Sequence, residues 1–232
     1  MDVASGPRER GTATIRSGRA CCQRRVMLAL VQYHLSASHV LLGIAVGLAL
    51  SAAAGLRVFV PLLLTGLAAR FGYLRLVAGM AWIESDSALV AFATATVVEI
   101  VAYYVPWLDN ALDAIGTPAA VAAGVVTTAA VTPELPPLLR WTLAIVAGGG
   151  TAGFVQVSTT LLRLKSSLTT AGLGNPVLAT AELIGAIAFS VLAVLAPLLA
   201  AVGVAIVIVV LIRRLVVSYR VRRKANTAAW RR

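Results

Sequence analysis

Charged residues are scarce in this chain. Of its 232 residues, 12% are Asp, Glu, Lys or Arg and 59% are hydrophobic, whereas a soluble domain carries roughly twice that charged fraction. So little charge cannot cover the apolar surface of a folded domain in water. The composition therefore excludes an ordinary soluble protein and predicts an all-α, polytopic integral membrane helical bundle.

Cysteine and histidine are nearly absent as well. Two cysteines, Cys21 and Cys22, and two histidines, His34 and His39, lie before the first apolar segment. This set is too small for a disulfide framework or a metal quartet. No glycine-rich loop matches a nucleotide fingerprint, and no nucleophile has a visible base partner. We therefore expect no enzyme activity, no metal and no cofactor.

Negative charge is scarce relative to positive charge, and the positive excess lies in two tails. Lys and Arg number 20 against 9 acids, a formal net charge of +11. Cations that flank apolar segments mark the cytoplasmic side of a membrane, so we expect a cell-membrane protein with both termini in the cytoplasm and no nucleic acid partner. The same tails can contact anionic lipid of the bilayer. The flanking cations are Arg8, Arg10, Arg16, Arg19, Arg24 and Arg25 before the first segment, and Arg213, Arg214, Arg220, Arg222, Arg223, Lys224, Arg231 and Arg232 after the last.

Three regions follow from this distribution. Residues 1–26 are rich in Arg, Ser and Gly, and we expect a disordered basic tail there. They lack the apolar stretch that a signal peptide needs straight after its basic start, and Met27 is a second candidate start. Residues 27–217 form the predicted membrane domain and residues 218–232 a second basic tail. The sequence leaves open whether the protein is a homo-oligomer.

Six apolar segments divide the membrane domain. A membrane-spanning helix needs about 20 apolar residues. The second, fifth and sixth segments fit this length, the third is short and the first is too long for one straight helix. Gly55-Leu56-Arg57 with Pro61 interrupts the first segment and Gly148-Gly149-Gly150 interrupts the fourth, so both are predicted to be broken or re-entrant. The segments cover residues 40–70, 87–106, 118–132, 138–162, 176–195 and 197–217.

The segments also form a weak internal repeat, residues 40–132 and 138–217. Ala54 to Val58 aligns with Ala152 to Gln156, and each stretch is followed by an apolar helix with a single acid, Glu99 or Glu182. Duplicated interrupted segments are typical of transporters. Two topologies stay open. If the broken segments cross the membrane, there are six spans in inverted halves; if they are re-entrant hairpins, there are four spans in parallel halves.

Three ionisable residues are the main candidates for a site. Glu99 and Glu182 lie within apolar helices, where a charge costs on the order of 3 kcal/mol and normally faces the protein interior. Small residues at helical spacing, such as Ala102 and Ala179, share their faces. Arg57 lies at the first break, where it could pair with either glutamate, bind an anionic substrate or lipid headgroup, or extend to the interface.

Two further candidates lie near segment ends. Asp109 and Asp113, with Asn110 between them, follow two tyrosines and Trp107. They could share a cation at the membrane interface if the stretch is helical, and an aromatic belt with a polar loop is the alternative. Thr117-Pro118 and Asn175-Pro176 each read as an N-cap followed by proline at the first helical position. Asn175 could therefore cap a helix end that lines the site, or be a plain interfacial cap.

Four stretches of the chain carry a family resemblance. The stretches are Gly55 to Pro61, Glu99 to Gly124, Gly148 to Gln156 and Gly172 to Ala186. On them the chain resembles a bacterial membrane family known only as domain of unknown function 4126, over roughly residues 40–215. The resemblance implies a multi-pass membrane protein and no established activity.

A shorter resemblance lies at the first break. The order Arg57, Phe59, Pro61 is similar to an Arg, Phe, Pro run in the DedA family, in which the arginine and phenylalanine are adjacent. That likeness implies a carrier of lipid phosphates with re-entrant hairpins.

Two functions are compatible with these features. The first is a transporter of a small solute, ion or lipid in which Arg57, Glu99 and Glu182 converge near mid-membrane. The second is a structural or assembly membrane protein without transport activity, in which the same residues only fix helix packing.

Overall fold

The computed structural model describes residues 38–104, 106–170, 173–210 and 212–213, without the side chains of residues 106–114. The regular elements in this part of the chain are all helical, which confirms the all-α part of the predicted fold class. The chain divides between Leu41 and Leu42, and of the first unit only the start of α1 is described. The helices are α1 (Ser38–Ala54), α2 (Phe59–Arg70), a 3-10 helix (Ala78–Glu84), α3 (Asp86–Ala102), α4 (Pro106–Ala130), α5 (Pro137–Thr170), α6 (Asn175–Leu195) and α7 (Pro197–Val210).

The first apolar segment is broken where the sequence predicts. α1 ends at Ala54 and α2 begins at Phe59. Pro61 favours this break because it has no N–H for the helix ladder and its ring clashes with the carbonyl four residues earlier. In α2 itself Pro61 stands in the first turn, where no intrahelical partner is needed. Gly55 lies against α5 so closely that a β-carbon there would be 2.7 Å from the Val155 β-carbon.

α1 and α2 form a hairpin, because their outer ends lie at the same end of the bundle. A β-carbon at Gly43, near the start of α1, would lie 3.0 Å from the carbonyl oxygen of Val131. Further along α1, the Ser51 hydroxyl donates to the Gly124 carbonyl at 2.9 Å, so α1 runs antiparallel to α4. After α2 the chain is back beside the end of α4, where the Val77 N–H donates to the Ala130 carbonyl at 3.0 Å.

The remaining helices alternate in direction. We call the end that holds Leu74, the end of α4 and the start of α5 the Leu74 end. α3 begins there beside α2, with Arg70 paired to Asp86, and α4 returns to it. The other end holds the end of α3, the start of α4 and the α5–α6 connection, and we call it the Leu173 end. Residues 55–58, which join α1 to α2, lie in the interior between α3, α5 and α6.

Two predicted helix boundaries are wrong. Pro118 does not begin a helix but lies inside α4, which membrane helices tolerate because neighbouring helices pack around the interrupted ladder. The fourth segment is not broken at its three glycines. α5 runs through 34 residues, with a π-helical stretch at Ala144–Gly149. The backbone keeps its hydrogen bonds by this local widening, since an apolar setting offers no water to replace them.

The glycines serve close packing instead of a break. A β-carbon at Gly124 of α4 would lie 2.6 Å from the Ala152 β-carbon and 2.8 Å from the Gly148 carbonyl oxygen of α5. A β-carbon at Gly47 of α1 would lie 3.0 Å from a Thr128 methyl group. Small residues allow such close helix contacts in membranes. The two stretches that the predicted repeat aligns therefore differ, one a break and the other a continuous helix, and the repeat stays a prediction.

The exposed helix faces are largely apolar, and four charged side chains, Arg57, Glu99, Arg163 and Glu182, are buried. Val97, Val98 and Val101 of α3 are about 60% exposed, whereas Glu99 between them is 5% exposed. This polarity is the reverse of that of a soluble helix. By length and composition α5 and α6 could cross a membrane, and so could the 3-10 helix with α3 if the two, bent by 58°, form one span. The other apolar helices are shorter: α1, α2, Ile115–Ala130 within α4, and α7. The predicted six membrane spans are therefore not confirmed.

Candidate functional site

Glu99 closes the break between α1 and α2. Its two carboxylate oxygens accept the backbone N–H groups of Val58 at 2.9 Å and Phe59 at 3.1 Å. The first N–H groups of a helix have no partner within the helix, and a negative charge at that end is stabilising. Glu99 thus acts from α3 as the cap of α2. Its position is one turn from the end of α3 at Ala102, closer to a helix end than the sequence predicts.

Arg57 lies in the break itself and is buried, with 1% of its surface exposed. Its Nη2 donates to the Ala179 carbonyl of α6 at 2.8 Å. Its Nε and Nη1 have no hydrogen-bond partner in the described part of the chain. The predicted alternative of an arginine that extends to the interface is wrong, because the surrounding helices enclose the side chain completely.

Tyr103 brings two arginines together. Its ring, at the end of α3, is 5% exposed. The guanidinium carbon of Arg57 lies 3.8 Å from the ring centre and that of Arg163 lies 4.0 Å from it. The negative face of an aromatic ring attracts a cation, more strongly when water is excluded. Tyr103 therefore lowers the cost of holding two like charges within one buried cluster.

Arg163 of α5 is the partner of Glu182 of α6. Its Nε donates to Glu182 Oε1 at 3.2 Å and its Nη2 donates to Oε2, and both side chains are buried. Parallel bonds of this kind match the planar guanidinium to a carboxylate. The sequence predicts Arg57 as a partner for either glutamate, but Glu182 binds Arg163 and Glu99 binds backbone. Both glutamates still interact electrostatically with Arg57.

Gln156 and Gly116 complete the cluster at the Leu173 end. The Gln156 side chain is buried, and its amide nitrogen packs where a β-carbon on Gly116 would lie 2.8 Å away. The Tyr103 hydroxyl would be 4.0 Å from the same β-carbon. A glycine at this position of α4 thus leaves room for two polar groups, the Gln156 amide and the Tyr103 hydroxyl.

The cluster carries two positive and two negative side chains, Arg57 and Arg163 against Glu99 and Glu182, so its formal charge sums to zero. Balanced charge is a condition for burying ions, because an unpaired ion in a low-dielectric interior costs several kcal/mol or more. Each predicted half of the chain supplies one arginine and one glutamate.

The other predicted site residues lie apart from these four or outside the description. Asn175 is the first residue of α6 and not its N-cap, which is Gly174; its side-chain amide donates to Ser167 Oγ at 3.0 Å. Asp109, Asn110 and Asp113 lie on the helical backbone of α4, one turn apart for the two aspartates, but their side chains are outside the described residues. The interfacial cation site stays a prediction.

Sequence reasoning missed Arg163 and Tyr103. The sequence predicts that the fourth segment ends at residue 162, one residue before Arg163, whereas α5 continues to Thr170. A signal was available: Arg163 precedes Glu182 by 19 residues across a short turn, and antiparallel neighbours joined by such a turn bring these positions together. Tyr103 was read as part of an interfacial aromatic belt.

Comparisons with known proteins give one family match and no activity. A family model described as "Domain of unknown function (DUF4126)" matches residues 44–216. No curated protein and no solved structure matches the chain. The matched region includes all residues of the buried cluster.

Proposed function

Since the chain belongs to the family described as a domain of unknown function (DUF4126), we propose its function from the buried cluster: a multi-pass membrane carrier of a small solute, ion or lipid. Arg57, Glu99, Arg163 and Glu182 form its site. The observation that carries the proposal is a buried group of four charged side chains from separate helices and a helix break, inside helices whose outer faces are apolar. The two arginines lie against one tyrosine ring, Glu182 pairs with Arg163, and Glu99 caps the helix that follows Arg57.

Charges in the interior of a membrane protein are expensive and normally mark a substrate or ion pathway. Broken helices beside such charges support the same reading, because their freed backbone groups can contact a solute. The π-helical stretch of α5 adds a second local irregularity, of a kind often found at functional sites. α1, α2 and α5 thus supply the structural elements that a carrier requires.

The test is proton-coupled flux in proteoliposomes. The purified protein is reconstituted with a pH-sensitive dye in the lumen, and lumenal pH is followed after addition of each solute from a panel that includes phosphate, acetate, glycine and sodium ion. Glu99→Gln and Glu182→Gln should abolish the pH-dependent flux, because each removes a carboxylate that can exchange a proton. Glu134→Gln is the matched control, since Glu134 lies exposed between α4 and α5. Flux that both cluster variants retain would contradict the proposal.

A structural or assembly role is the competing function. The observation that favours it is that every carboxylate oxygen of the cluster already accepts a hydrogen bond. In that case the wild-type protein shows no flux with any solute, and the same substitutions only reduce yield and melting temperature.

A further inference from the structure

Arg57 differs from the other three charged residues of the cluster in its unused donors. An arginine carries five N–H bonds and no acceptor. In Arg57 only Nη2 has a partner, the Ala179 carbonyl at 2.8 Å. Nε and Nη1, with three N–H bonds between them, have no hydrogen-bond partner in the described part of the chain. Glu99, Arg163 and Glu182 are by contrast held by hydrogen bonds to protein groups through both carboxylate oxygens of each glutamate and through Nε and Nη2 of Arg163.

Unused donors on a buried cation are costly. Leaving a buried polar group unsatisfied costs about 1–3 kcal/mol, and more for a charged group. Solvent does not offset this cost, because Arg57 is 1% exposed. The ring of Tyr103 stabilises part of the positive charge of Arg57. It does not act as a hydrogen-bond acceptor for the N–H groups of Nε and Nη1. The buried Arg57 side chain thus carries a free-energy cost that a bound hydrogen-bond acceptor would reduce.

We propose that Arg57 binds an oxyanion, a carboxylate or a phosphate group, through Nε and Nη1 in the interior of the bundle, a step that rests on the proposed function of the cluster as a solute site. Only a group that supplies acceptors can satisfy these donors, which excludes cations and amines. The planar guanidinium suits phosphate and carboxylate oxygens. Arg163, whose guanidinium lies against the same ring, adds a second positive charge to the cluster.

Glu182 is the residue that competes with such a ligand. It interacts electrostatically with Arg57, although its hydrogen bonds go to Arg163. The negative charge of Glu182 repels an oxyanion that approaches Arg57. The substitution Glu182→Gln, which removes the charge and keeps the shape of the side chain, should therefore strengthen oxyanion binding. Misfolding would weaken binding, so it cannot produce this result.

Free phosphate, a free carboxylate and a lipid phosphate share this chemistry, so the experiment separates them. The melting temperature of the purified chain in neutral detergent is measured against rising sodium phosphate, sodium acetate and sodium chloride at equal ionic strength. A ligand that binds the folded state raises the melting temperature with its concentration. The lipid arm repeats the measurement in nanodiscs of phosphatidylcholine with and without phosphatidate.

The expected result is stabilisation by phosphate, acetate or phosphatidate but not by chloride. Arg57→Lys should weaken it about tenfold or more in ligand concentration, because a lysine cannot replace the charge-assisted bonds of Nε and Nη1. The matched control Arg75→Lys, at an exposed position, should behave as wild type. Glu182→Gln should shift the same midpoint to lower concentration.

Several outcomes overturn the proposal: no stabilisation of the wild type by any oxyanion, equal stabilisation by chloride, or stabilisation that Arg57→Lys keeps. Should Arg57→Lys not fold, weaker or unchanged binding in Glu182→Gln also overturns it. The flux assay is independent of this one. If an oxyanion binds but no flux is seen, the carrier function is contradicted and the oxyanion site on Arg57 is supported. If flux is seen with solutes that are not oxyanions and no oxyanion drives it, the carrier function is supported and the oxyanion site is contradicted.

Discussion

At the residue scale, the cluster depends on which acceptor each donor finds. Glu99 supplies two oxygens to the first N–H groups of α2, and the hydrogen bonds of Glu182 go to Arg163. Neither carboxylate forms a hydrogen bond with Arg57 in the described part of the chain. The physical reason is geometric: the carboxylate of Glu99 faces the helix end beside it, and α5 and α6 run side by side through a short turn. Arg57 is left with one carbonyl, one ring and unused donors.

Replacing Glu99 by alanine should destabilise the protein by about 2–6 kcal/mol, because one buried and one partly buried backbone N–H group each lose their acceptor at about 1–3 kcal/mol. Glu99→Gln should cost less, since one amide oxygen remains. The free energy of unfolding in mild detergent is the measurement. Val98→Ala, on the exposed face of the same helix, is the control. An alanine variant as stable as the control would show that the two N–H groups have another acceptor.

The Arg163–Glu182 pair makes a separate prediction. Glu182→Leu leaves a buried guanidinium without its counter-ion and should cost about 3–5 kcal/mol. Arg163→Met together with Glu182→Leu should recover most of that loss, because both desolvated charges are then gone. The two free energies of unfolding are compared directly. A double variant no more stable than the single one would mean that the pair is not the main interaction of either residue.

At the element scale, close approach of helices decides where glycine is required. α4 and α5 touch through Gly124 and Gly148, with the π-helical stretch Ala144–Gly149 in the contact. α1 approaches α4 through Gly47 and Ser51. These contacts hold the break of α1 and α2 in place against α5, and so hold Arg57 in reach of α6.

Gly124→Ala should lower the free energy of unfolding by about 1–3 kcal/mol, the usual cost of overpacking, because its β-carbon would lie 2.6 Å from that of Ala152. Gly150→Ala is the matched control within α5, where nothing lies within 4 Å of the added carbon. It should raise stability by up to about 1 kcal/mol through helix propensity. Equal changes in the free energy of unfolding for the two substitutions would show that close packing at Gly124 does not determine the stability of the α4–α5 contact.

At the scale of the whole molecule, the helix directions predict which connections share a side of the membrane. The start of α1, the α2–α3 connection and the α4–α5 connection lie at the Leu74 end, and the α5–α6 connection lies at the Leu173 end. This arrangement differs from both topologies that the sequence leaves open: the first broken segment turns back, and the fourth runs through. The apolar outer faces of the helices are what lipid would cover.

Single cysteines at Leu42, Tyr73 and Glu134 should be labelled by a membrane-impermeant maleimide from one side, and a cysteine at Leu173 from the other, in a background without Cys21 and Cys22. Accessibility in intact cells and in lysed cells is the measurement. If Leu42 and Tyr73 report opposite sides, the first segment crosses fully. If Glu134 and Leu173 report the same side, α5 is a hairpin. Either result contradicts the helix directions described above.

What the sequence by itself determined is local: helical character, the break at Arg57 and the burial of Glu99 and Glu182 among apolar neighbours. These follow from composition, from Pro61 and from the cost of exposing charge to lipid, which act within a few residues. Only the tertiary structure decided that Arg163 and Tyr103 belong to the cluster, that Glu182 binds Arg163, and that the glycines of α5 pack instead of breaking the helix. Those outcomes depend on the distance between side chains far apart in sequence, and helix periodicity does not encode which helices become neighbours.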